Sequence, residues 1–177
     1  RNLRVMPLHN QWMQHKAHFG QFYGWERPLY FDKQREPVLG FDRPDWFEHI
    51  ERAVRYAHED AALFDQSSFG KIRVRGRAAQ SFLNRVCCND MTRVPGRAIY
   101  TAMLNQHGGF ESDLTALRFA ADDCRLYVGT SAIKRDLAWL QRHLQDDEQV
   151  ELRDETEGYA VLALMGPKAP EIMTRLG

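Results

Sequence analysis

The chain has 177 residues, enough for one substantial domain or two small ones with a buried core. Its 24 Lys and Arg balance 24 Asp and Glu, so no net charge draws it to DNA or RNA. Three cysteines with no CxxC pair and no Cys/His quartet argue against a disulfide framework and a zinc site.

In chain order, residues 1–45 form an aromatic- and histidine-rich N-terminal segment. Asn10 is placed to cap a short helix running to about Phe19 and ended by Gly20. Gly24-Trp25-Glu26-Arg27-Pro28 breaks regularity, and the chain then extends through Leu29, Tyr30 and Phe31. Residues 32–45, punctuated by Pro37, Gly40 and Pro44, read as a loop. Over 46–62 the apolar residues Phe47, Ile50, Val54, Ala57 and Ala61 recur at spacings of three and four, an amphipathic helix capped by Asp45. A strand over 70–74 and a helix carrying Phe82, Leu83 and Val86 follow. Strands over 98–104 and 110–119 flank Asn105-Gln106-His107-Gly108-Gly109, a hairpin signal. A strand over 125–128, a helix from Ser131 to about Leu144, strands over 149–153 and 159–164, and a last helix opened by Gly166-Pro167 complete the order. Antiparallel strands with helices on one face make an α+β domain, ferredoxin-like in style, occupying 46–177. The hairpin disfavours a doubly wound α/β sheet.

Most motifs that carry chemistry are missing. Gly70-Lys71 has the tail of a P-loop without its first glycine, and there is no GxGxxG or GxSxG. His15 and His18, three apart on the expected helix with His9 nearby, offer a metal face, but without a partnered carboxylate surface histidines are the simpler reading. Cys87 and Cys88 read as packing residues inside a helix, and Cys124 as a turn residue. Lys71, Arg73 and Arg75 alternate along a strand and read as a solvated face. In the hairpin, Tyr100, Ala102 and Leu104 share one face of the first strand. Asp113, Thr115, Leu117 and Phe119 share one of the second, so a carboxylate opens a row that turns apolar. That is a candidate ligand-binding corner; an ordinary aspartate beside a tight turn is the simpler alternative.

Several short elements together resemble the aminomethyltransferase (glycine-cleavage T-protein) family of folate-binding proteins. They are Pro7-Leu8, Gly24-Trp25-Glu26-Arg27-Pro28, Phe64-Asp65-Gln66-Ser67, Asn89-Asp90, Ile99-Tyr100, the Gly108 to Leu114 hairpin, Arg135-Asp136-Leu137-Ala138-Trp139 and Gly166-Pro167-Lys168-Ala169. Within the family the chain is most similar to the C-terminal folate domain of sarcosine and dimethylglycine dehydrogenases. T-proteins carry two adjacent aspartates in the hairpin, whereas Ser112 precedes Asp113 here.

The resemblance implies a tetrahydrofolate-dependent one-carbon transfer domain. An upstream flavin domain with FAD would oxidise a methylated amine to an iminium, and folate N5 would take up the carbon. Asp113 matches the family's functional aspartate, which orients the pteridine and stabilises cationic character. Tyr100, Leu117, Tyr127 and Gly129 fall at folate-contact positions; Leu117 stands where the family has a tyrosine, and Gly129 where it has an asparagine. No metal is implied, and neither a membrane nor a nucleic acid is an expected partner. No apolar run approaches the ~20 residues that span a bilayer, and no signal peptide is visible, so a bacterial cytoplasm or a mitochondrial matrix is expected. Opening on Arg1 and stopping at Gly177, the chain reads as a piece of a longer protein that encodes one wall of the pocket and binds folate weakly or not at all alone. A stand-alone aminomethyltransferase or folate-dependent demethylase, and a non-catalytic regulatory module that kept the fold, are the alternatives.

Overall fold

The computed structural model describes residues 4–32 and 40–176. Positions 33–39 of the expected loop, Pro37 among them, lie outside the described residues. The described chain divides into two compact units, one reaching Ser68 and resuming at Ala160, the other Phe69–Tyr159.

In the first unit, helix α1 (His9–Gln14) stops well before Phe19. Lys16 turns the chain at a φ of 62°, and strand β1 (Ala17–Phe22) begins where the helix was expected to continue. It pairs with β2 (Trp25–Phe31) through a two-residue turn at Tyr23 and Gly24, with φ of 49° and 82°. Two consecutive left-handed residues define the hairpin turn that matches strand twist, so the apparent irregularity at Gly24 is a hairpin tip. His15 therefore ends α1 while His18 lies on β1, so the helical spacing on which a histidine metal face would have depended is not formed. Among the described residues no three His, Cys, Asp or Glu side chains gather as a metal site. Trp25, fully buried beneath the Arg4 guanidinium at 4.0 Å, anchors this unit with Met6.

Helix α2 (Phe47–Glu59) follows the expected stripe, although Asp45 does not cap it: Trp46 occupies the cap position with no side-chain hydrogen bond. The helix ends about three residues short of the expected boundary, and strand β3 (Ala62–Asp65) follows. Its antiparallel partner is β9 (Leu162–Met165), and α5 (Ala169–Leu176) closes the unit.

The second unit is a five-stranded antiparallel sheet. Its strands are β4 (Gly70–Arg75), β5 (Ala98–Leu104), β6 (Phe110–Ala120), β7 (Asp123–Val128) and β8 (Glu151–Asp154), in spatial order β5-β6-β7-β4-β8. Helices α3 (Ala79–Val86) and α4 (Ile133–Arg142) cover one face. Strands β4 and β6 run the same way with β7 between them, the split arrangement of a ferredoxin-like unit, with β5 added as an edge. Ile72, Val74, Leu114, Ala116, Leu126 and Val128 point at Phe82, Leu83, Ile133 and Leu140 to form the core. Cys87 lies past the end of α3 in extended backbone, and Cys124 lies within β7, so neither is where the helical and turn readings put it.

Gly76, between β4 and α3, has a φ of 137°, and a Cβ there would collide with the Gln149 carbonyl. Only glycine meets both conditions.

Candidate functional site

The face of the sheet opposite α3 and α4 gathers most of the residues singled out from sequence. Residues paired across strands put their side chains on the same side. Tyr100 lies opposite Thr115, Thr115 opposite Tyr127, and Tyr127 opposite Lys71, one row across four strands. Asp113 lies opposite Ala102, and Leu117 is flanked by Ala98 and Arg125. Gly129 follows the end of β7, one residue beyond the Leu114–Val128 pair and so level with Asp113.

The hairpin that presents Asp113 is held from inside. The Asn105 side chain accepts from the amides of His107 at 3.0 Å and Gly109 at 2.9 Å, and donates to Glu111 at 3.0 Å. Gly108 takes a φ of 78°, a conformation glycine adopts without penalty. Beyond this loop the Tyr100 hydroxyl donates to Asp113 Oδ2 at 2.9 Å. That bond, followed by the negative charge of Asp113, raises the Tyr100 phenol above its ordinary range, so the tyrosine stays a neutral donor. Both groups face solvent; Tyr100 is 67% exposed.

Two supports for this pair escaped the sequence reading. Asn89 donates its side-chain amide to the Tyr100 carbonyl at 2.9 Å, and its own backbone amide donates to Thr101 Oγ1 at 3.0 Å, tying the Asn-Asp turn to β5. Ser112, pointing to the helix side, donates to Asp136 Oδ2 of α4 at 2.6 Å, while Arg135 donates to Oδ1 at 3.0 Å. Asp136 is 1% exposed. Position 112 therefore faces a buried carboxylate, and a hydroxyl there is a donor rather than a second anion. The Arg135-Asp136 motif was visible in the sequence; its partner 24 residues earlier was not.

Towards β8 the same open face becomes ionic. Arg73 binds Asp123 through a two-pronged contact, and Arg125 donates to Glu155 at 2.8 Å. The hydrogen bond to Asp123 raises the Arg73 guanidinium above its ordinary value against the opposing pull of burial. Burial likewise opposes the charged form of Arg125, but the Tyr127 hydroxyl and Glu155 outweigh it. Arg125 sits 4.0 Å over the Tyr159 ring. The reading of Lys71, Arg73 and Arg75 as a solvated face is thus corrected. Lys71 is fully buried and Arg73 is locked in ion pairs, leaving Arg75 as the exposed member. The segment leading into the 3-10 turn Thr156–Gly158 is tied to this strand: Thr156 Oγ1 accepts from the Lys71 amide at 3.1 Å, and the Glu155 amide donates to the Lys71 carbonyl.

A model of the GCVT N-terminal domain family matches residues 8–177. The chain belongs to this family. It is 37% identical over 175 residues to the aminomethyltransferase of Geobacillus kaustophilus, covering 98% of this chain and 43% of that protein. It is 32% identical over 184 residues to the mitochondrial pyruvate dehydrogenase phosphatase regulatory subunit of Mus musculus, covering 99% of this chain and 21% of that one. Among solved structures, the glycine cleavage system aminomethyltransferase T of Bartonella henselae superposes with a TM-score of 0.75 at 24% identity, over 98% of this chain and 44% of that one. The α+β fold is therefore that of a GCVT N-terminal domain. The chain spans less than half the length of each of these proteins. No helix among the described residues is long and apolar enough to cross a membrane.

Proposed function

We propose that this chain provides one wall of a tetrahydrofolate site for one-carbon transfer, with Asp113 as the functional carboxylate. The observation that carries the reading is the Tyr100–Asp113 pair, exposed on the open face at 2.9 Å. The residues around it suit a flat, polar-edged ligand. Tyr100 offers an exposed ring for stacking, Ala102 and Leu117 offer low apolar surface, and Gly129 meets no atom closer than 4.0 Å from where a Cβ would stand. Tetrahydrofolate bound there would supply N5 as the acceptor of the one-carbon unit.

In this reading the chain's own groups orient and stabilise. The Tyr100 hydroxyl holds Asp113 Oδ2, which leaves Oδ1, without a partner among the described residues, to face the ligand. A carboxylate so held stabilises cationic iminium character and receives or returns a proton at Oδ1. Tyr127 and Thr115 extend the surface across the sheet. Leu117 and Gly129, standing where the family has a tyrosine and an asparagine, make this pocket roomier and less polar than the family pattern.

The segment functions in a longer chain, joined to an FAD-bearing N-methyl amine dehydrogenase of the sarcosine or dimethylglycine type, which would deliver the methylated amine as an iminium in a bacterial cytoplasm or a mitochondrial matrix. The Ser112-Asp113 sequence of the hairpin supports this branch. Asp113→Asn in such a chain is expected to leave amine oxidation intact while methylene-tetrahydrofolate yield falls roughly 10²-fold or more. Unchanged yield removes Asp113 from the reaction. Calorimetry on the 177-residue chain alone is expected to show weak folate binding or none; nanomolar affinity overturns the idea that the site needs a second wall.

A second reading has its own support: the mouse relative that aligns with nearly the whole chain is named as a regulatory subunit. A non-catalytic module would keep the fold and yield no methylene-tetrahydrofolate in the longer chain even with Asp113 in place.

A further inference from the structure

The register of the open face places Arg153 of β8 directly opposite Arg73 of β4, and Arg73 directly opposite Arg125 of β7. Like charges facing each other across a sheet are destabilising unless counter-charge is supplied. Two carboxylates supply part of it, because Asp123 engages Arg73, and Glu155 engages Arg125 with a longer contact to Arg73 at 3.7 Å. Both carboxylates are thereby committed. Arg75 and Arg153 form no ion pair or hydrogen bond among the described residues, although Glu151 lies opposite Arg75. Arg73, Arg75, Arg153, Glu151 and Glu155 line a cavity of about 100 Å³. Two free guanidinium forks around a space that size, beside a third fixed by its own ion pair, match the planar, multi-oxygen geometry of a carboxylate or phosphate.

We propose that this cavity is an oxyanion site, with Arg153 and Arg75 as the binding forks and the ion-paired Arg73 as a fixed floor. Its ligand group is a carboxylate or a phosphate. Two sources present that chemistry: the carboxylate end of the folate proposed for the Asp113 wall, in which case the site rests on that reading, and a free oxyanion, in which case it does not.

The test is titration of the 177-residue chain at low ionic strength with glutarate and, separately, with inorganic phosphate, followed by calorimetry. Saturable binding of at least one is expected. It should weaken about tenfold in Arg153→Gln and in Arg75→Gln, and stay unchanged in Arg52→Gln, an exposed arginine of α2. Because neither fork has a partner to lose, both variants should melt with the parent chain, which separates lost binding from lost folding. No saturable binding of either anion, or equal affinity in all variants, overturns the site. If the site holds, the source is decided in the longer chain by comparing tetrahydrofolate with its analogue lacking the glutamate. Arg153→Gln weakens only the former if the folate tail is the ligand, and neither if a free oxyanion is. The Asp113→Asn transfer assay is read separately, so failure of the folate wall and failure of the oxyanion site give different results.

Discussion

The two faces of the five-stranded sheet are built from alternate residues of the same strands, yet they differ in almost every property. Beneath α3 and α4, Ile72, Val74, Ala116 and Leu126 are fully buried and packed on Phe82 and Leu140. On the open face the corresponding neighbours are Lys71, Arg73, Thr115, Leu117, Arg125 and Tyr127, with Arg73 and Arg125 held in ion pairs. Since the covered face alone holds the apolar core, the open face is free to carry chemistry. The covered face also has a polar exception, Ser112–Asp136, lying directly behind Asp113. The hairpin is thus fixed from the structural side while its next residue points to the functional one.

That contrast breaks most strongly at the core. Phe82→Ala removes a fully buried ring and is expected to cost about 3–5 kcal/mol of stability in urea unfolding. Asp136→Ala leaves the buried Ser112 hydroxyl with only the longer contact to the Asp113 carbonyl at 3.3 Å and frees Arg135, with an expected cost of about 1–3 kcal/mol. Ser112→Ala in the same background should recover part of that loss, which sharpens the claim that the pair acts as a unit.

A third test reads the covered face through its thiols. Burial pushes Cys87 and Cys124 up to about 12 from 9.0. With folded values above unfolded ones, the native state holds these protons more tightly. Their contribution to stability is complete below about pH 9 and is lost as pH rises toward about 12. Only the exposed Cys88 should react with a thiol reagent at pH 8 before unfolding. An equally fast reaction at all three thiols contradicts the packing of this face.

The smallest expected effect on stability comes from the open face. Tyr100→Phe should leave unfolding stability essentially unchanged, since both partners are exposed. Asp113→Asn should instead lower the alkaline midpoint of Tyr100 ionisation, followed by phenolate absorbance, because the negative charge is gone and a neutral amide oxygen is a weaker acceptor. An unchanged midpoint means that the pair does not persist in solution.

Much of the second unit was legible from the chain. Period-two alternation in 98–104 and 110–119 assigned Asp113, Leu117 and Tyr100 to the face they occupy, because strand side chains alternate strictly. Elsewhere local pattern was outweighed. His15 and Ala17 look helical, yet Lys16 adopts a left-handed turn and the strand that follows finds its partner across Tyr23 and Gly24. The β9 strand was expected beside the others, but it pairs with β3, nearly a hundred residues earlier, and no local periodicity encodes such a partner.

By itself the sequence determined the alternation of the hairpin, the turn chemistry at Gly108, the amphipathic helices and the family resemblance, since each depends on neighbours a few residues apart. Tertiary structure alone decided that Asp136 backs Ser112, that Asn89 braces Tyr100, and that Lys71 is buried while Arg73, Arg125 and Arg153 line up. Those relations depend on which strands sit side by side and in what register. A shift of one residue would send every one of these side chains to the opposite face.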